Sequence, residues 1–169
     1  MHTENSITFN LSPDGSGIEM ASQKISRFLQ SQGFSEETVG IQKMILKELI
    51  NSGLKYGKCK SNDDDMSVNI SIEENTITIE VKNSVDETCC ERLKELDKTI
   101  QFIRGYQDPF EAYTLKQKEA FQNTPSSEPN GLGLARIAYK GNAILDFFVS
   151  EDNILNLYAV RSLDSCSQC

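Results

Sequence analysis

Two periodicities of apolar and polar positions succeed one another along this 169-residue chain, and the switches between them delimit its elements. Ser6 to Asn10 alternates with a period of two and reads as a strand, closed by the turn-forming run Ser12-Pro13-Asp14-Gly15-Ser16-Gly17. The period then lengthens to three and four: Ile18, Ala21, Ile25, Phe28 and Leu29 share one helical face, which Gly33 ends. A second helix opens on the capping sequence Ser35-Glu36-Glu37-Thr38 and runs through Ile41, Ile45, Leu49 and Leu54 to Gly57. Its apolar face is wide, which predicts a central, well-covered helix.

Past the polar link 58–66, Val68/Ile70/Ile72 and Ile77/Ile79/Val81 predict a hairpin around Glu73-Glu74-Asn75. A third helix from about Asp86 to Arg104 places Leu93, Leu96, Ile100 and Ile103 on one stripe. Residues 105–130 break the pattern. They hold Pro109, Pro125 and Pro129, a short amphipathic piece from Phe110 to Phe121 and a Ser/Pro-rich end, the composition of a mobile excursion rather than of core. Gly131-Leu132-Gly133-Leu134 opens a short helix to Tyr139, and strands Ala143–Val149 and Ile154–Val160 follow, joined by Ser150-Glu151-Asp152-Asn153. This order predicts an α/β fold, a two-layer sandwich with helices on one face of a mixed, mostly antiparallel sheet. It fits one domain over residues 1–163 and a disordered tail over 164–169.

Charge and composition narrow the function. With 25 acidic against 17 basic residues the chain carries −8, and its densest charge is Asp63-Asp64-Asp65, so nucleic acid is excluded as the main partner. The single histidine, His2, lies at the edge of the chain, which excludes a histidine triad, a multi-histidine zinc site and phosphorelay on an internal histidine. No run reaches the ~18 apolar residues of a membrane span, and residues 1–10 lack both the basic start and the apolar stretch of a secretion signal. The expected location is the cytoplasm, with Cys59, Cys89, Cys90, Cys166 and Cys169 as reduced thiols. The spacing Cys166-x-x-Cys169 suits a redox or half-zinc motif, but no helix follows to depress a thiol pKa and no second pair stands near.

Two segments carry candidate chemistry. Late on the second helix, Glu48 and Ser52 fall one turn apart with Asn51 beside them, and Lys55 and Tyr56 lie one turn further on. A carboxylate and two oxygen-bearing groups so placed can hold Mg²⁺ through water or take a proton from an attacking hydroxyl; the same spacing also suits a solvated flank. The second segment is Gly131-x-Gly133-Leu134 at a helix start. Without Cβ atoms the backbone can approach a phosphate, and the free N–H groups of a helix N-terminus favour an anion; a tight turn into a helix needs the same glycines.

Together, in this order and on these elements, Glu48-Leu49, Tyr56-Gly57 and Gly131-Leu132-Gly133-Leu134 resemble the histidine-kinase-like ATPase superfamily, above all its small stand-alone anti-sigma-factor-type serine kinases. The resemblance runs from Ser6 to Arg161. It implies ATP and Mg²⁺ as cofactors, Glu48 as the catalytic base, Ser52 and Glu48 at the metal, and Gly131, Gly133 and Leu134 around the triphosphate. It makes 105–130 an ATP lid with Phe110 as its aromatic residue. Lys116, Lys118 and Arg136 become candidate partners of the γ-phosphate. Ser52 stands where the family has its magnesium-binding Asn, and Asn51 lies one position early, rotated by ~100°. The family's Asp-x-Gly-x-Gly box is replaced by Lys82-Asn83-Ser84-Val85-Asp86, which leaves Asn83 to accept from the adenine amino group. The implied function is an ATP-binding regulator that phosphorylates a small partner protein in a bacterial partner-switching system, without nucleic acid or membrane, and as a homodimer like many relatives of its size. The alternative is an ATPase-fold protein that has lost nucleotide and regulates its partner by contact alone.

Overall fold

Ala21, Ile25, Phe28 and Leu29 form one buried stripe on helix α1 (Ile18–Ser31), with Ile18 partly covered at its start, and that stripe packs on α2 (Glu36–Tyr56) in the computed structural model. Residues 5–12, 16–57, 65–122 and 131–163 are described. Helix α1 ends as the sequence predicts: Gly33 takes φ +86°, its N–H reaches the Gln30 carbonyl, and the Phe34 N–H reaches that of Leu29. This pair of bonds is the Schellman arrangement that favours glycine at the turn. The Ser35 hydroxyl accepts from the Thr38 N–H and starts α2, whose residues Ile45, Leu46, Leu49 and Ile50 are all but inaccessible.

The remaining elements are β1 (Ser6–Leu11), β2 (Met66–Glu73), β3 (Thr76–Ser84), α3 (Cys90–Arg104, entered by a short 3₁₀ turn at Glu87–Cys89), α4 (Pro109–Gln122), α5 (Leu132–Lys140), β4 (Ile144–Val149) and β5 (Ile154–Ser162). They form the expected two-layer α/β sandwich. The five strands stand in the order β1-β2-β3-β5-β4, with β1 and β4 at the edges. On β3, Ile77, Ile79, Val81 and Asn83 are buried toward the helices, while Thr78, Glu80 and Lys82 face outward.

Two expectations need correction. The sheet is not mixed: every ladder is antiparallel, from Ser6↔Ser71 at one edge to Val149↔Leu155 at the other. The chain returns from the helices along the edge strand β4, and its hairpin partner β5 then slots between β4 and β3, so no two neighbouring strands run the same way. Nor does the described part of the excursion, residues 105–122, stand apart from the core. Pro109 occupies the first position of α4, where its missing N–H costs nothing, and Asp108 caps the helix by accepting from the Phe110 N–H at 3.0 Å. Ala112 and Tyr113 are buried, and α4 packs on α5 and α3. Residues 123–130, with Pro125 and Pro129, lie outside the described residues, as do His2, Asp63, Asp64, Cys59 and the Cys166/Cys169 pair.

Candidate functional site

Helices α2 and α5 cross on the sheet, and their facing residues build a cleft. Helical spacing brings Glu48, Asn51, Ser52, Lys55 and Tyr56 to one side of α2, opposite Gly131, Gly133 and Leu134 at the start of α5; together they line a cavity of about 110 Å³. It continues into an open recess of about 560 Å³ bounded by Glu48, Asn51, Lys55, Leu132 and Arg136. Two sequence segments some 80 residues apart thus share one site. Asn51 is the exposed amide of the pair, whereas Ser52 is nearly buried.

Glu48 and Arg136 form an ion pair, Oε1 to Nη1 at 2.5 Å, with side chains 15% and 31% exposed. The other carboxylate oxygen, Oε2, fills the space beside Gly133, where any β-carbon would collide with it. Burial acts to lower the Arg136 pKa, but the hydrogen bond and charge of Glu48 and the Tyr113 hydroxyl outweigh it, and the pKa is raised. The guanidinium therefore stays charged. Tyr113 comes from α4, accepts from Gln117 Nε2 at 3.0 Å, and stacks on Tyr139 with ring centroids 5.2 Å apart. Phe110 also leans on Tyr139, at 5.1 Å, and remains half-exposed outside the cleft.

Gly131 begins α5 in the left-handed region at φ +87°, and a β-carbon there would strike the Thr99 methyl of α3. The Lys116 ammonium stem passes close by; its head pairs with Glu119 at 3.2 Å and lies 4.8 Å from the Phe102 ring centre. Lys118 is exposed and outside the cleft.

Asn83 is not in this cleft. It lies behind α2, 2% exposed, with Nδ2 donating to the Gly53 carbonyl at 3.0 Å and its Oδ1 buried without a partner. Gly57 makes room for it, since a β-carbon there would meet the amide. Tyr56, at the end of α2, is buried along the cleft, its hydroxyl without a hydrogen bond of ordinary geometry. Burial, reinforced by the charge of Glu95 and only partly offset by Thr99, pushes the Tyr56 pKa up.

No protein-family model and no curated protein matches the chain. A solved structure does. The fold is similar to that of a chain in the crystal structure of the SiaB-SiaC complex from Pseudomonas aeruginosa, with a TM-score of 0.67 over 92% of this chain and 88% of that one, at 22% identity. Among the described residues no helix is long and apolar enough to cross a membrane, and no group of three or more His, Cys, Asp or Glu side chains could hold a metal ion.

Residues around the cleft that the pattern of the sequence did not mark support it from behind. Thr99 sets the entry of α5, and Gln117 fixes the hydroxyl of Tyr113. Both are ordinary polar positions on amphipathic helices, so only packing reveals them. Lys55, which spacing left on a solvated flank, faces the recess and also lies 5.2 Å from the Tyr56 ring centre.

Proposed function

We propose that this chain is a nucleotide-binding regulator that transfers a phosphoryl group to a Ser or Thr of a small partner protein, through the histidine-kinase-like ATPase fold its motifs resemble. The observation that carries the reading is the convergence of Glu48, Asn51, Gly131, Gly133 and Arg136, from α2 and α5, on one cleft. The fold it shares with a chain of a two-protein complex supports a protein as partner.

The donor set suits a triphosphate. Arg136 offers a planar fork, Lys55 an ammonium, and the start of α5 free backbone N–H groups. Mg²⁺ finds one carboxylate, Glu48, with the oxygens of Asn51 and Ser52, and with so few protein ligands it would take the rest from phosphate and water. Bound ATP would supply the γ-phosphoryl group. Glu48 would then take the proton of the partner's hydroxyl as that hydroxyl's oxygen bonds to phosphorus and the bond to the ADP oxygen breaks, with Arg136 and Lys55 holding the anionic oxygens.

Calorimetry with Mg-ATP and Mg-ADP tests the reading. Binding at micromolar to sub-millimolar nucleotide, with a rise in melting temperature, is the expected result; absence of binding at millimolar nucleotide overturns it. A second reading, regulation by contact alone, draws on one observation: the Glu48 carboxylate is already paired and already fills the space at Gly133. A partner affinity that changes with nucleotide would rule it out.

A further inference from the structure

We propose that Arg136 is a positioning residue shared between two anions: it holds Glu48 in the seat of a phosphoryl group, and an incoming polyphosphate takes Arg136 over and so releases Glu48 to act as a base. The inference deepens the nucleotide reading of the cleft and rests on it for the identity of the anion.

The geometry is that of an internal stand-in for a ligand. One Glu48 oxygen is engaged by Arg136 and the other occupies the gap left by the missing Gly133 side chain, one residue into α5, where a helix favours negative charge. With one oxygen on Arg136 and the other against Gly133, both carboxylate oxygens are already engaged, so in this arrangement Glu48 is poorly placed to meet a substrate hydroxyl. The recess bounded by Lys55 and Arg136 opens directly beside the pair. A polyphosphate entering it offers Arg136 more negative charge and a bidentate geometry, which a single carboxylate cannot outbid once both are present. The Tyr113 hydroxyl backs the guanidinium from α4, so the exchange also reaches the helix that leads into 123–130.

The test uses inorganic tripolyphosphate, titrated by calorimetry into the full chain and into Glu48→Gln, Arg136→Gln and the double variant, with melting curves to check folding. If Glu48 competes for Arg136, Glu48→Gln binds tripolyphosphate about fivefold tighter or more, and this gain vanishes to within about twofold when Arg136 is Gln, the size of coupling expected of a close charge pair. Arg136→Lys, which keeps the charge and loses the fork, guards against a glutamine variant that does not fold and should retain part of the gain. An equal gain in both backgrounds would mean plain repulsion between Glu48 and phosphate, and would overturn the proposal; so would a lack of tripolyphosphate binding in every variant. Mg-ATP titration of the unaltered chain reads the nucleotide assignment separately: ATP binding with equal gains leaves that assignment standing without the exchange, and coupling to tripolyphosphate without ATP binding does the reverse.

Discussion

The Glu48 carboxylate stands where the side chain of residue 133 would be. Glycine at 133 is required by a neighbour 85 positions away, and the second glycine of Gly131-x-Gly133 is explained in this structure by Glu48 as well as by any phosphate.

Substitution of Gly133 by Ala should therefore run against helix propensity. Alanine favours a helix interior by about 1 kcal/mol over glycine, yet here the methyl group must displace Glu48 and break its pair with Arg136, for a net loss of about 1–3 kcal/mol. In a Glu48→Ala background the same change should stabilise. Urea denaturation of the four proteins of this cycle measures the reversal of sign.

Gly131 answers to a different neighbour. Its φ of +87° costs an L-residue about 1–2 kcal/mol, and its missing methyl makes room for Thr99. Gly131→Ala should lose more than the conformational cost alone, and Thr99→Ser, which removes the colliding methyl, should restore only the excess. Denaturation midpoints of the single and double variants separate the two contributions.

At position 83 the buried amide donates to the Gly53 carbonyl. Asn83→Asp replaces that donor by a carboxylate facing a carbonyl oxygen in a dry site, at a cost of about 2–4 kcal/mol at neutral pH. The buried acid would hold its proton more tightly in the folded than in the unfolded chain, so the deficit should shrink as pH falls toward ~4, where the protonated form can donate again. Stability against pH for the two proteins checks this.

Tyr56 makes the opposite edge of the pH range informative. Its folded pKa is raised by burial and by Glu95, so the neutral phenol contributes stability that is complete below the ordinary value of 10.0 and is lost as pH climbs through the folded value. Tyr56→Phe should flatten the alkaline arm of the stability curve. At pH 7 it should cost no more than about 1 kcal/mol, since the hydroxyl has only a poorly aligned bond to Thr99 to lose.

Periodicity was sufficient for the layers of the fold, because Ile77, Ile79 and Val81, or Ala21, Ile25 and Phe28, must all face the same way to be buried. It could not give the direction of β4 relative to β3, which depends on where β5 is inserted. Proline content misled the reading of 105–130, since Pro109 starts a helix rather than preventing one. In the cleft, spacing brought Glu48 next to Asn51 and Ser52 and marked Gly131-x-Gly133 at a helix start, and the family resemblance set the two segments in one site. The pairing of Glu48 with Arg136 spans 88 positions and lay beyond any local pattern. Asn83 shows the same limit: its place in the motif suggested a base contact, while its bond to Gly53 follows only from the packing of α2 on β3.

The strand order has a consequence for how the chain reaches this state. β5 follows every other described element in sequence, yet it sits inside the sheet and joins β3 to β4. Until Ile154–Ser162 pairs, β3 has an unpaired edge and α2 lacks the contacts it makes with β5, so the sheet beneath the cleft closes only when this strand is in place. The closing step is a long-range pairing, the slow kind, and the half-made sheet is the species most exposed to association with its neighbours.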